Sequence, residues 1–238
     1  MPDPTLFDEC SPWIHIDLGY WKPLTDGQPP SFFRKKSIVY HQEDSPEYVY
    51  IVKSGRVRVT SYQPNGAEKQ IYIAEKGAMF GESSIIGRRP QTDTAIAIVD
   101  SFIYCIPIGK VEKVMSTDWE LTQRIIQLIC RKNHILFKQV LELSFAQSLQ
   151  RVAKILLNIG KQYGKLSGDK IVISIKFTHQ DVASMINTSR VTVSNIFNVL
   201  SEKGIISKKN GYFSLNHIET LISIADGDLF DIHQVPCR

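Results

Sequence analysis

The chain has 238 residues, 43% hydrophobic and 22% charged, with a formal net charge of +4. That length suggests one or two domains at roughly 100–200 residues each. The composition excludes a disordered tail, a collagen-like repeat and a disulfide-dense mini-protein. Residues 1–147 carry 17 Lys+Arg and 17 Asp+Glu, whereas residues 148–217 carry 10 basic residues against Asp169, Asp181 and Glu202. A neutral front joined to a basic segment points to nucleic acid, with a solvated basic face as the alternative. The cysteines (Cys10, Cys105, Cys130, Cys237) lie too far apart for a zinc knuckle or a redox pair. Residues 1–10 lack the basic start and apolar run of a signal peptide, and no window approaches 18 apolar residues. A cytoplasmic protein with reduced thiols and no membrane partner is expected.

Residues 37–108 are β-rich and punctuated by glycine. Residues 48–52 and 56–60 are β-branched and aromatic runs separated by Lys53-Ser54-Gly55, a hairpin connection. Pro64-Asn65-Gly66 is the strongest turn signal in the chain. Strands are expected again at 70–74, 92–99 and 101–106, with Gly77, Gly81 and Gly87 between them. Short strands with turns at regular spacing predict an antiparallel sandwich or barrel-like roll. No GxGxxG fingerprint or βαβ alternation points to a Rossmann domain.

The period then changes. Ile126, Ile129, Asn133, Leu136, Val140 and Leu143 are spaced alternately by three and four. That places Ile126, Asn133 and Val140 at heptad position a, and Ile129, Leu136 and Leu143 at d. β-Branched residues at a with leucine at d favour a two-stranded parallel coiled coil, and one buried Asn fixes its register. A homodimer through a helix over 117–145 is therefore expected. Ile125 and Leu128 widen the apolar face, which fits the alternative of an amphipathic helix packed within its own domain.

From Ser148 the chain is helical again, with Val152, Ile155, Leu156 and Ile159 as its stripe, ending near Tyr163-Gly164. Residues 166–169 read as a turn and 170–176 as a strand. Thr178-His179-Gln180-Asp181 opens a helix that Thr178 can cap, and Asp181 suits its positive end. Asn187-Thr188 supplies a tight turn. Ser189 can cap a second helix, 190–203, which buries Val193, Ile196, Phe197 and Leu200 and stops at Gly204. Two such helices make a helix-turn-helix whose second helix enters the major groove of duplex DNA. Its polar face offers Arg190 to guanine or phosphate, Ser194 and Asn195 to base edges, and Val191 to a thymine methyl. Thr178, His179, Thr188 and Ser189 flank that face. Residues 205–215 read as a wing hairpin with Lys208 and Lys209 placed for phosphates. A helical hairpin without a DNA role is the alternative.

β-Roll, long helix and winged helix-turn-helix, in that order, resemble the cyclic-AMP-receptor/fumarate-nitrate-regulator (CRP/FNR) family of bacterial transcription factors. The likeness covers roughly residues 30–225. It is carried by Gly55, Gly66 and Phe80-Gly81-Glu82 in the roll, and by Thr178, Asp181, Ser189-Arg190, Thr192, Val193 and Ser194 in the reader. The order of elements also resembles the chlorophenol-responsive regulators of reductive dehalogenation within that family. The resemblance implies an α+β chain: a sensory β-roll at 1–116, a dimerisation helix at 117–145 and a winged helix-turn-helix at 146–238. It implies a homodimer on double-stranded DNA, with RNA polymerase as a partner if the protein activates.

In such proteins the effector sits between roll and long helix. Cyclic-nucleotide members hold the phosphate with an Arg-Ser pair about eleven residues after a Gly-Glu. Here Gly81-Glu82 is present, but Gln91-Thr92-Asp93-Thr94-Ala95 has no arginine, and the aspartate would repel a phosphate. Leu136 and Phe137 stand where the nucleotide binders meet adenine, so cyclic AMP is not the expected effector. Only Cys10 lies where oxygen-sensing members gather cluster ligands, so no iron–sulfur cluster is expected. His134 and Pro2 keep haem open, and Cys10 keeps a redox response open, whereas Cys105, in a strand, reads as a core residue. The expected site is an apolar pocket with polar anchors among Tyr72, Gly81, Glu82, Ser83, Ser84, Thr92, Thr94, Asn133, Phe137 and Lys138, suited to a small organic, aromatic effector. No protein-bound cofactor is expected. The competing classes are a cupin-like metalloenzyme, against which the six histidines are scattered, and a regulatory module that does not bind DNA.

Overall fold

The computed structural model describes residues 11–85 and 87–228, in two compact units that divide after Leu136. Cys10, Pro2 and Cys237 lie outside the described residues. The first unit holds β1 (Trp13–Ile14), a 3₁₀ turn (Leu18–Trp21), α1 (Lys22–Thr25), β2 (Ser31–Phe33), β3 (Ile38–Tyr40), β4 (Tyr48–Ser54), β5 (Val57–Tyr62) and β6 (Glu68–Ala74). Then come β7 (Met79–Phe80), a 3₁₀ turn (Glu82–Ser84), β8 (Thr94–Ala97), β9 (Ser101–Pro107), α2 (Ile108–Thr117) and α3 (Trp119–Phe145), which continues past Leu136.

The strands form a five-stranded sheet ordered β1-β6-β5-β8-β3 and a four-stranded sheet ordered β2-β9-β4-β7. All pairs are antiparallel except β1 with β6. Alternation sets which face is buried: Val57 and Val59 of β5 are buried while Arg58 between them is half-exposed. Both sheets contribute to one core, with Val49, Ile51, Val57, Val59, Ala95, Ile103 and Ile106 fully excluded from solvent. Gly55, between β4 and β5, has φ +100°, and a Cβ there would sit 2.6 Å from the Ser101 Cα. That approach leaves room only for glycine.

The helix expected over 117–145 is α3, Trp119–Phe145, and a separate helix that was not expected, α2, precedes it. Asp118 has extended backbone between α2 and α3, and its Oδ1 accepts a hydrogen bond from the Leu121 amide at 2.9 Å. It therefore caps α3 and ends α2, whose Ile108 and Val111 are buried. α3 carries two apolar stripes. Leu121, Ile125, Leu128, Lys132 and Ile135 are buried. Ile126, Ile129, Leu136, Val140 and Leu143 are 38–57% exposed, and Asn133 is exposed with them.

The second unit holds α4 (Ser148–Tyr163), β10 (Gly164–Ser167), β11 (Lys170–Ile173), α5 (His179–Ile186), α6 (Arg190–Glu202), β12 (Ile206–Lys209), β13 (Tyr212–Leu215) and α7 (Ile218–Asp226). Its sheet is ordered β10-β11-β13-β12. Residues 166–169, read from sequence as a turn, are instead split between β10 and a tight reversal at Gly168, φ +62°. The strand stops at Ile173, sooner than expected, because the Ser174 amide and hydroxyl both turn back to the Tyr163 carbonyl, at 2.8 and 2.7 Å. Val152, Leu156, Val182, Val193, Leu200, Leu215 and Leu221 are fully buried and fix the helices against this sheet. Each such side chain contributes roughly 1.5–3 kcal/mol by leaving water.

Candidate functional site

Two sites emerge, one in each unit. In the second unit, α5 opens with a reciprocal cap: the Thr178 Oγ1 accepts from the Asp181 amide at 3.1 Å, and the Asp181 carboxylate accepts from the Thr178 amide at 2.8 Å. Asn187 ends α5 in the left-handed region at φ +52°, and the Thr188 amide donates back to the Ala183 carbonyl at 3.1 Å. Ser189 Oγ then accepts from the Thr192 amide at 2.9 Å and starts α6. This sharp, doubly capped turn leaves Ser189, Arg190, Val191 and Asn195 exposed and Ser194 half-exposed, with Val191 at 69%.

An aromatic cluster carries the wing to this face. Phe213 of β13 stacks on Phe177 at 4.9 Å and meets Phe197 of α6 edge-on at 5.2 Å. His179 lies against Phe197 at 4.8 Å, and the Lys208 ammonium lies over Phe213 at 4.7 Å. Burial, with Lys208 and Arg190 nearby, pushes the His179 pKa down. The structure thus brings His179, Arg190 and Lys208 into one positive neighbourhood, while Lys209 is exposed one residue further along β12. Such a set can hold phosphates while α6 presents its side chains to base edges.

In the first unit a cavity of about 400 Å³ is lined by Ile71, Tyr72, Gly81, Glu82, Ser83, Thr92, Asp93, Ile129, Cys130, Lys132, Asn133 and Leu136. Of the residues expected here, Tyr72, Gly81, Glu82, Ser83, Thr92 and Asn133 are in its wall. Ser84 and Thr94 are not: Ser84 bonds Gln91 at 3.3 Å, and the Thr94 hydroxyl accepts from the Gln42 amide at 2.9 Å. Phe137 and Lys138 follow on α3 in the second unit, both exposed, and are not in the wall either. Gly81, φ +76°, brings the backbone under the Tyr50 ring, 3.1 Å from where a Cβ would stand, and so starts the turn whose Glu82 and Ser83 are in the wall.

The residue that sequence reasoning missed is Lys132. Its side chain is 8% exposed, and its ammonium donates to both Glu82 carboxylate oxygens at 2.8 Å, the Met79 carbonyl at 2.8 Å and the Tyr72 hydroxyl at 3.0 Å. The signal was available: Lys132 continues the Ile125–Leu128 stripe at the next step of four. Beside it, Asp93 accepts from the Tyr40 hydroxyl at 2.7 Å and from Thr92 at 3.3 Å. Burial raises the Asp93 pKa against the opposing Tyr40 bond and the Lys132 charge. Burial, then Glu82, lifts the Tyr72 hydroxyl well above the usual tyrosine range, so it is a neutral donor and acceptor. His134 is exposed on α3, Cys130 is exposed, and Cys105 on β9 is half-buried at the core's edge. Among the described residues no group of three or more His, Cys, Asp or Glu is placed to hold a metal ion, and no helix is long and apolar enough to cross a membrane.

Comparison with known proteins follows this division. Residues 30–118 match the Cyclic nucleotide-binding domain family, and residues 150–224 match the Crp-like helix-turn-helix domain family. The two matches together span more than half of the chain. A CRP-like cAMP-activated global transcriptional regulator from Mycobacterium tuberculosis is 24% identical over 183 residues, covering 77% of this chain and 82% of that protein. The Cyclic AMP receptor protein of Thermus thermophilus is 25% identical over 218 residues, covering 86% and 97%. Among solved structures, OCPA-complexed CprK superposes with a TM-score of 0.70 at 19% identity, covering 89% of this chain and 99% of that one. FixK2 from Bradyrhizobium japonicum does so at 0.70 and 20%, covering 83% and 96%. These domains and relatives are those of regulators and not of enzymes. With an effector-binding domain of cyclic-nucleotide-binding type and a Crp-like reader, the chain belongs to the CRP/FNR family of DNA-binding transcriptional regulators.

Proposed function

We propose that the protein acts as a homodimer whose affinity for a palindromic, TTA-rich operator is set by a small organic effector in the cavity of the first unit. The observation that carries this reading is the double use of α3: Ile129, Asn133 and Leu136 line the cavity and also belong to the exposed heptad seam. An occupant therefore touches the helix face that a second copy would cover. The working division is a sensory roll at 1–116, a dimerisation helix at 117–145 and a reader at 146–238. The effector is not cyclic AMP, because the 91–95 segment lacks an arginine and places the Asp93 carboxylate in the cavity wall. Resident cofactors are not required. RNA polymerase is the further partner if operator binding activates, and the cytoplasm, where the chromosome lies, is the place of action.

On the DNA, the His179, Arg190 and Lys208 neighbourhood takes phosphates, while Val191, Ser194 and Asn195 read bases, with Thr178, Thr188, Ser189 and Lys209 at the margins. Titration of a palindromic duplex, followed by fluorescence anisotropy, tests the reading. Affinity falling steeply with salt supports it, since neutralised phosphates release counterions. Binding no tighter to the palindrome than to unrelated duplex overturns it.

A further inference from the structure

The charges in the cavity wall specify what can occupy it. Among the described residues, three acidic or basic side chains line the space: Glu82, Asp93 and Lys132. The Lys132 ammonium has three protons and already faces four oxygens at 2.8–3.0 Å. Its charge also sits over the Tyr72 ring at 4.5 Å. A carboxylate or phosphate that sought Lys132 would have to expel Glu82, leaving that group buried, 8% exposed, and without its counter-charge. Asp93 is in the opposite condition. The hydrogen bonds it accepts from Tyr40 and Thr92 come from neutral hydroxyls. Burial pushes its pKa up against the Tyr40 bond and the Lys132 charge, and Glu82 adds to the push, so the net direction is up and its negative charge is under-compensated. With Lys132 spent on Glu82, the wall is left with one excess negative charge.

Elsewhere in the lining Ile71, Ile129 and Leu136 are apolar, and Asn133, Ser83 and Thr92 are among the neutral hydrogen-bonding groups. A volume of about 400 Å³ is within the range of about 300–1,000 Å³ typical of small-molecule sites. Resting on the reading of this cavity as the effector site, we propose that its ligand is a small organic cation, a protonated amine or amidine on an apolar body, whose positive end pairs with Asp93 and whose body lies against Ile71, Ile129 and Leu136. Anionic effectors are selected against by the same wall, because the lining cation, Lys132, is already neutralised in place.

Three probes of one shape and different charge test this on the full chain: benzamidinium, benzamide and benzoate, titrated by calorimetry. Benzamidinium is expected to bind tighter than benzamide by about tenfold, the equivalent of one pKa unit of interaction, with benzoate weakest. In Asp93→Asn the ratio between the first two should collapse toward unity. Benzoate binding as well as benzamidinium overturns the charge assignment while leaving the cavity as the effector site. Failure of all three to bind overturns the cavity reading, and the proposal with it. An Asp93→Asn protein that keeps the full preference removes Asp93 as the partner. Should that variant fold poorly, the wild-type series alone decides on charge.

Discussion

Lys132 and Glu82 set the energetic stake of the cavity wall. Both side chains are 8% exposed, and each supplies the other's main charge compensation. Removing one partner of such a pair typically costs about 3–5 kcal/mol, whereas replacing both with apolar groups is often neutral. Lys132→Met is therefore expected to lower the urea midpoint strongly, and Lys132→Met with Glu82→Leu to recover most of the loss. A double mutant as unstable as the single one would show that the pair is not the source. Asp93 gives a second, opposite expectation. Its pKa is raised on folding, so its stabilising contribution is complete below its unfolded value and is lost as pH rises through the folded one. At neutral pH the charge is a liability in the unliganded protein. Asp93→Asn, which keeps an acceptor for Tyr40, should raise the thermal midpoint at neutral pH. The gain should fade as pH falls through the raised value toward the ordinary carboxylate value of 3.8. Calorimetric scans across that window would show it.

At the scale of elements, α6 makes the sharpest statement about DNA. The resemblance to regulators that read a TTGAT-type half-site implies a glutamate where this chain has Val191. A glutamate accepts from cytosine N4, and Val191 offers only methyls, so the third base pair should shift to A·T. Ser194 matches the serine common in the family, and Asn195 departs from its arginine. Val191→Glu is expected to swing preference at that one pair by about 1–3 kcal/mol toward G·C, measured by selection from a random duplex pool. An unchanged consensus would remove Val191 from the base contact. The reader was legible in the sequence because its caps are local: Thr178, Asp181, Ser189 and Gly204 act within a few residues of themselves. The strands at 48–54 and 57–62 were legible too, but not their pairing: β4 pairs with β9 and β7 and β5 with β6 and β8, so Lys53-Ser54-Gly55 carries the chain from one sheet to the other and closes no hairpin. Less was visible where tertiary packing decides. α2 was missed because its ten residues carry no cap that sequence spacing could reveal, and only Ile108 and Val111 are buried. β10 was missed because Leu166, 80% exposed, is not held there by burial but by pairing with Ile171. The cavity was legible in outline from Gly81-Glu82, but its centre was not. Lys132 reads as one more basic residue until the buried stripe of α3 is set beside the roll.

For the molecule as a whole, the uncovered seam is the feature that calls for a second copy. Ile126, Ile129, Leu136, Val140 and Leu143 stand 38–57% exposed in a row along one helix. Leu136→Glu with Leu143→Glu would set like charges against each other across a parallel pair. The expected outcome in sedimentation is a monomer mass. An unchanged mass would move the interface elsewhere. Thermodynamic linkage makes the two binding events reciprocal: if an occupant of the cavity tightens operator binding, operator must tighten that occupant by the same factor. Titrating benzamidinium with and without operator duplex measures that factor directly.

Lys132 and Asn133 are consecutive, one turned to the buried pair with Glu82 and the other to the seam. At 3.6 residues per turn they stand about 100° apart on one rigid cylinder. Geometrically α3 is a shaft, and the two residues are spokes fixed to it at a set angle. A ligand that turned α3 at Lys132 would turn Asn133 by the same angle. With Cα atoms about 2.3 Å from the axis, a turn of about 15° carries each by about 0.6 Å. The displacement is small, yet it would fall on Asn133, which in the proposed paired seam would set register. On the proposed reading, a turn of α3 would thus pass from cavity to seam through two adjacent letters of the sequence.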